Sequence, residues 1–86
     1  MKVLKTKDFG GGHLLEAGKS TWDEDEMSVR DRYPTRNGGF NPHSSSEIPL
    51  GDVPELVIFA AEQDLLAPNE LTEILCAVSA SLRRKL

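Results

Sequence analysis

Glycine divides this chain into two parts of different composition. All seven glycines lie at or before position 51, and residues 52–86 contain none. Glycine loses more backbone freedom on folding than any other residue, so it collects where helices and strands are interrupted. The distribution predicts an irregular segment at 1–51 and a regular block at 52–86. With 86 residues in all, the two parts form one small domain.

The residues after Gly51 carry the start signals of two helices. Asp52 is a suitable N-cap, and Glu55 three residues later completes an acidic form of the capping box. Pro68 disfavours helical geometry at the residue before it and is itself suited to a first helical turn. The sequence therefore predicts a helix pair at about 53–66 and 69–84, and the expected fold class is mainly α.

The two predicted helices carry more apolar surface than they can bury against each other. The run from Leu56 to Ala61 is apolar on every side of a helix, and a buried strand is the alternative for it. In the second helix, large apolar residues form one stripe, and the opposite side carries Cys76, Ala77 and Ala80. This small-residue side suits close approach by another backbone. The N-terminal segment, a second copy or a partner protein could cover it.

The first 51 residues are expected to be largely irregular. Their candidate elements are a short strand at 2–6, one helical turn at 13–17 ended by Gly18, and a short helix over 23–32. Apolar and aromatic residues nevertheless recur at fairly even intervals, which is not typical of a disordered tail. We expect this segment to wrap over the helix pair or to dock on another protein, with Trp22, Tyr33 and Phe40 as partner-binding residues.

A run of four acids, Asp23, Glu24, Asp25 and Glu26, has three interpretations. It suits the positive end of a helix, it could bind a hard cation, or it could engage a basic site on a partner. A calcium loop needs a glycine at a fixed place and a distal glutamate, and both are missing here. We therefore predict no metal and count the run among the partner-binding residues.

No motif supports catalysis or a cofactor. The sequence Gly18-Lys19-Ser20-Thr21 matches only the end of a phosphate-binding loop, because His13 stands where its first glycine belongs. The two histidines and the cysteine, His13, His43 and Cys76, do not have the spacing of metal ligands. We predict a protein that is not an enzyme and has no cofactor.

The charge balance bears on nucleic acid as a partner. The chain has 10 Lys and Arg against 14 Asp and Glu, a formal net charge of -4. Binding to a phosphate backbone needs a surplus of positive charge, so this balance argues against a nucleic-acid partner. The alternative interpretation is a small helix-turn-helix-like DNA-binding regulator that uses Arg30, Arg32 and Arg36.

Cysteine content and apolar run length indicate the compartment. A single cysteine cannot form an internal disulfide, which fits a reducing environment. The longest apolar run has six residues, whereas a membrane-spanning helix needs about 20. The sequence thus predicts a soluble cytoplasmic protein without a membrane partner.

Together these features predict a non-enzymatic protein-protein interaction factor. Its expected role is that of a small accessory or inhibitory protein, of the kind that phages and mobile elements encode. We expect it to bind a target protein of unknown identity and to be able to form a homo-oligomer such as a dimer. A second alternative is a structural or assembly subunit with an extended arm.

Overall fold

A computed structural model describes residues 1–34 and 46–86. These residues form two compact units, Met1–Val53 and Pro54–Leu86. The first unit contains an antiparallel sheet of four strands that lie side by side in chain order. The second unit contains both helices except for the first residue of the first helix, Val53. The elements are β1 (Lys2–Gly10), β2 (His13–Lys19), β3 (Met27–Arg32), β4 (Glu47–Pro49), a 3-10 turn (Leu50–Asp52), α1 (Val53–Glu62) and α2 (Pro68–Lys85).

The sheet shows that the predicted fold class was wrong. The protein is a small α/β fold, and the described residues of its N-terminal part form four strands where an irregular segment was expected. The turn of helix expected at 13–17 belongs to β2, and the helix expected over 23–32 is a loop followed by β3. The strand expected at 2–6 is confirmed and continues to Gly10.

Gly18 was misread as the end of a helix because its actual role depends on a distant strand. It pairs with Val3 of β1. A Cβ atom on Gly18 would lie 1.9 Å from the carbonyl oxygen of Lys2. A glycine inside a strand often marks such a close approach of another backbone. The residue therefore permits the pairing of β1 with β2.

Consecutive glycines build the turn between β1 and β2. Gly11 and Gly12 connect the paired residues Gly10 and His13, and their φ angles are 64° and 85°. A two-residue loop with positive φ at both positions matches the twist of the strands that it joins. Few residues other than glycine adopt these angles readily, so the sequence allows a tight hairpin here.

The C-terminal helices are confirmed with one change of length. The run Leu56–Ala61 is helical, but α1 ends at Glu62, and Asp64 just beyond it has a left-handed φ of 56°. At the start of α2, the backbone N–H of Ala67 donates to Glu70 Oε1 at 2.8 Å. The two helices do not pack along each other.

Neither helix is long and apolar enough to cross a membrane, as judged over the part of the chain that is described.

The side chains buried in this protein are polar, which is unusual for a folded domain. Across residues 1–34 and 46–86, no apolar side chain is buried, whereas the polar residues Glu16, Ser20 and Ser28 are. Folded domains are stabilised mainly by the burial of apolar surface. The described part of one chain therefore lacks the usual source of that stability.

Candidate functional site

The register of the sheet separates its charged residues by face. Directly paired residues of antiparallel strands share a face, and neighbours along a strand alternate between faces. The pairs are Lys2 with Lys19, Lys5 with Ala17, and Lys7 with Leu15. All four lysines of residues 1–53 therefore stand on one side of the sheet, which we call the lysine face.

The opposite side, which we call the carboxylate face, carries three of the four acidic strand residues. They are Asp8, Glu16 and Glu47, and they share this face with Arg30 and Arg32. Glu16 Oε1 accepts hydrogen bonds from Nε and Nη2 of Arg30 at 3.1 and 2.9 Å. Arg32 Nη1 lies 3.7 Å from the other oxygen of Glu16. The positive charge of this face is therefore balanced locally.

Glu47 connects β4 to the rest of the sheet on the carboxylate face. Its carboxylate accepts hydrogen bonds from the backbone N–H of Thr21 at 3.1 Å, from the Thr21 hydroxyl, and from Ser28 Oγ at 2.9 Å. Burial opposes ionisation of this carboxyl group. The hydrogen bonds and the N-terminal ammonium group of Met1, 4.0 Å away, outweigh that effect and lower the pKa of Glu47.

Three rings stack at one end of the lysine face, and we call them the aromatic cluster. The His13 ring lies between Phe9 and Tyr33, with centroid distances of 4.7 and 4.5 Å. Asp31 positions two of the rings, because it is 2.5 Å from His13 Nε2 and accepts a hydrogen bond from the Tyr33 hydroxyl at 2.9 Å. That hydrogen bond and the charge of Asp31 raise the pKa of Tyr33 above its ordinary value of 10.0.

A groove of about 410 Å³ lies beside the aromatic cluster. Residues of the lysine face and the first residue of α1 line most of it: Lys5, Lys7, Leu15, Ala17, Val29 and Val53. Thr6 and Glu16, a pair whose register places it on the carboxylate face, complete the lining. Lys7 links the two features, because its Nζ atom lies 5.3 Å from the centre of the Phe9 ring. Apolar surface, exposed aromatic rings and positive charge therefore meet on one face.

The acidic run lies elsewhere, in the loop of residues 20–26 between β2 and β3. No helix begins there, so the acids do not serve as a helix start. Trp22 Nε1 donates to Glu26 Oε2 at 2.6 Å, and the backbone N–H of Asp25 donates to Asp23 Oδ1 at 2.9 Å. The loop thus uses part of its negative charge to hold its own shape.

The remaining predicted site residues are dispersed. Cys76, Ala77 and Ala80 are exposed on α2, in the C-terminal unit, and Tyr33 belongs to the aromatic cluster of the other unit. Phe40 and Arg36 lie outside the described residues. Arg30 and Arg32 are strand residues that pair with Glu16, and neither lies on a helix.

Sequence reasoning missed the lysine face and two rings of the aromatic cluster, Phe9 and His13. A usable signal was present, since Lys5 and Lys7 have the two-residue spacing of a strand face. The rings could not be assigned in the same way, because Phe9, His13 and Tyr33 meet only through strand pairing.

Comparison of the chain with protein-family models, curated proteins and solved structures finds no match. The surfaces described above are therefore the basis for inferring function.

Proposed function

We propose that this chain is a non-enzymatic interaction protein that works by binding protein through its helices. One observation supports the proposal above all: no apolar side chain of the described residues is buried. In α1, Leu56, Ile58 and Phe59 are each at least half exposed. Covering a large apolar side chain contributes about 1.5–3 kcal/mol, so association offers this chain stability that it lacks alone.

The apolar stripe of α2 supports the same proposal. Leu71, Leu75, Val78 and Leu82 follow helical spacing and are all exposed. Exposed apolar patches of this extent are typical of contact sites for protein or membrane, and neither helix can span a membrane. We take a second copy of the chain as the first partner to test. The proposal has two other forms. In one, the chain binds a different target protein as an accessory or inhibitory factor, and in the other it is a structural subunit of an assembly.

The helix-turn-helix alternative has less support. A recognition helix presents basic or amide side chains to base edges near its beginning. Glu70 and Glu73 occupy that part of α2 instead.

The exposed Cys76 thiol fits the reducing, cytoplasmic environment that we propose for the chain.

Sedimentation of the pure protein tests the proposal. We expect the wild type to self-associate at micromolar concentration and Leu75→Glu to shift it towards the monomer. Ser79→Glu is the matched control, because it adds the same charge to the same helix at a polar position. A strict monomer whose circular dichroism shows stable helices at high dilution would contradict the proposal.

A second variant asks whether the small-residue side of α2 takes part. Ala77→Glu combined with Ala80→Glu places two charges beside Cys76, opposite the apolar stripe. We expect this double variant to weaken association while it retains helicity. Unchanged association would remove Cys76, Ala77 and Ala80 from the contact and leave the apolar stripe.

A further inference from the structure

The middle of the lysine face is an apolar trough with positive charge on one side. A single register row crosses the sheet there and contains Lys5, Ala17, Val29 and Ile48, one residue from each strand. Three of the four are apolar, and the short side chain of Ala17 leaves room above the sheet. The groove of about 410 Å³ lies over this row, with Lys5 on the side of β1. It therefore suits bulky apolar side chains that are accompanied by negative charge.

Lys5 is the positive charge that the groove offers to a partner. Lys7 also lines the groove, but its Nζ atom lies 5.3 Å from the centre of a ring of the aromatic cluster. Asp31, the one strand carboxylate of the lysine face, is engaged within that cluster. Glu16, the other acid at the groove, is bound by Arg30. An acidic group that meets Lys5 must therefore come from elsewhere.

One face of α1 has the complementary character, and we call it the acidic face of α1. Glu55, Ile58, Phe59 and Glu62 follow the i, i+3, i+4, i+7 spacing that places residues on one side of a helix. Ile58 and Phe59 are 56% and 57% exposed, and both glutamates are exposed. α1 contains no basic residue. This face therefore presents two large apolar side chains between two carboxylates, which stand about 10 Å apart along the helix axis.

We propose that two copies of the chain associate reciprocally, with the acidic face of α1 of each copy docked on the lysine face of the other. Ile58 and Phe59 enter the groove, and the glutamates on either side of them approach Lys5. Both complementary surfaces occur on one chain, so a second copy supplies each of them with its partner. α1 begins at the groove, because Val53 lines it, and a two-fold axis there fills both grooves at once. The inference rests on the proposed function and names the surface that one helix binds.

Paired charge reversals, followed by analytical ultracentrifugation of the full chain, test the contact. Lys5→Glu makes the groove acidic, and Glu55→Lys with Glu62→Lys makes the helix face basic. Each protein alone should self-associate more weakly than the wild type by about tenfold or more, because like charges then meet in both contacts. An equimolar mixture of the two should associate again, since each contact between unlike variants joins opposite charges.

The control for the charge reversals is Lys85→Glu, which changes an exposed lysine outside the proposed contact. It should sediment like the wild type. A mixture of the groove and helix variants that associates no better than its components would overturn the proposal, and so would an equal loss in Lys85→Glu.

Phe59→Ala tests the apolar part of the contact. Alanine favours the helix, and the loss of one aromatic side chain from each groove should weaken self-association by about tenfold or more. Leu65→Ala is the matched control, because it removes an exposed apolar side chain just beyond α1. It should sediment like the wild type. If Phe59→Ala and Lys5→Glu also sediment like the wild type while Leu75→Glu dissociates, the docking of α1 is overturned and the proposed function stands. A wild type that is monomeric at every concentration would contradict both.

Carbodiimide cross-linking shows which chain supplies the helix, because the reagent joins a lysine amine to a carboxylate in contact with it. Unlabelled and ¹⁵N-labelled protein are mixed at high dilution and then concentrated. We expect peptides in which Lys5 of one isotope is linked to Glu55 or Glu62 of the other. Links within one isotope alone would show that a chain's own helix fills its groove and would overturn the proposal. Links from Lys5 to the acidic run at 23–26 would identify a different occupant and overturn it as well.

Discussion

Glu47 illustrates how a single carboxylate can hold a short strand in place. β4 has only three residues. Through its carboxylate, Glu47 contacts Thr21 in the loop before β3, Ser28 in β3 and the N-terminal ammonium group of Met1. Hydrogen bonds to a charged group are roughly twice as strong as those between neutral groups. Sequence reasoning assigned no role to Glu47, because its partners Thr21 and Ser28 are about 20 residues or more away in the chain.

The lowered pKa of Glu47 predicts a specific dependence of stability on pH. Above pH 4.5, the ordinary pKa of a glutamate, the ionised form of Glu47 stabilises the folded sheet. That contribution is lost as the pH falls through the lowered pKa of the folded state. We expect Glu47→Gln to reduce the Tm at pH 7, and we expect the gap between the two proteins to narrow as the pH falls below 4.5. Thermal unfolding followed by circular dichroism measures both quantities.

Glu24→Gln is the control for this pH series, because it neutralises an exposed loop carboxyl. Its Tm should follow that of the wild type from pH 7 to pH 3. A constant gap between Glu47→Gln and the wild type over the whole range would mean that the charge of Glu47 does not stabilise the sheet.

At the level of elements, the helices and the strands differ in how far they could be predicted. The start signals of α1 and α2 lie within a few residues of each helix, and both helices are present. The signals at 13–17 and 23–32 are equally local, but they favoured helix where the structure has β2 in the first case and a loop followed by β3 in the second. Pairing with distant residues outweighs such local preferences, because each strand gains its hydrogen bonds from the next.

The close contact at Gly18 gives a prediction for the pairing of β1 with β2. Gly18→Ala would force a Cβ atom against the Lys2 carbonyl, which belongs to the backbone and cannot move without the strand. We expect a loss of about 1–3 kcal/mol, which is the usual cost of overpacking. This corresponds to a Tm decrease of roughly 4–24 °C for a domain of this size.

Gly51→Ala serves as the comparison for Gly18→Ala, since a Cβ atom there meets nothing within 4 Å. Its Tm should stay close to that of the wild type. Similar Tm values for both variants would indicate that β1 does not approach β2 as closely as the structure shows.

The whole molecule exposes apolar surface on both the sheet and the helices. Leu15 on the lysine face is 41% exposed, and Phe59 on α1 is 57% exposed. A folded state that is completed by association becomes more stable as the concentration of its partner rises. Stability should therefore depend on how much of the protein is present.

We expect the Tm of the wild type to rise by several degrees between about 1 and 100 μM protein, because mass action favours the associated folded state. Differential scanning fluorimetry at fixed pH and salt measures this dependence. Leu75→Glu should have a lower Tm that changes little over the same range. A wild-type Tm that is independent of concentration would indicate that one chain is stable by itself.

By itself the sequence determined the two helices and the excess of apolar surface on them, since capping residues, prolines and helical spacing act within a few residues. Only the tertiary structure decided that four segments between Lys2 and Pro49 pair as a sheet and that its lysines share a face. A shift of one residue in strand register moves every side chain to the other face. The distribution of charge therefore depends on pairing between distant residues, and the amino-acid composition does not contain that information.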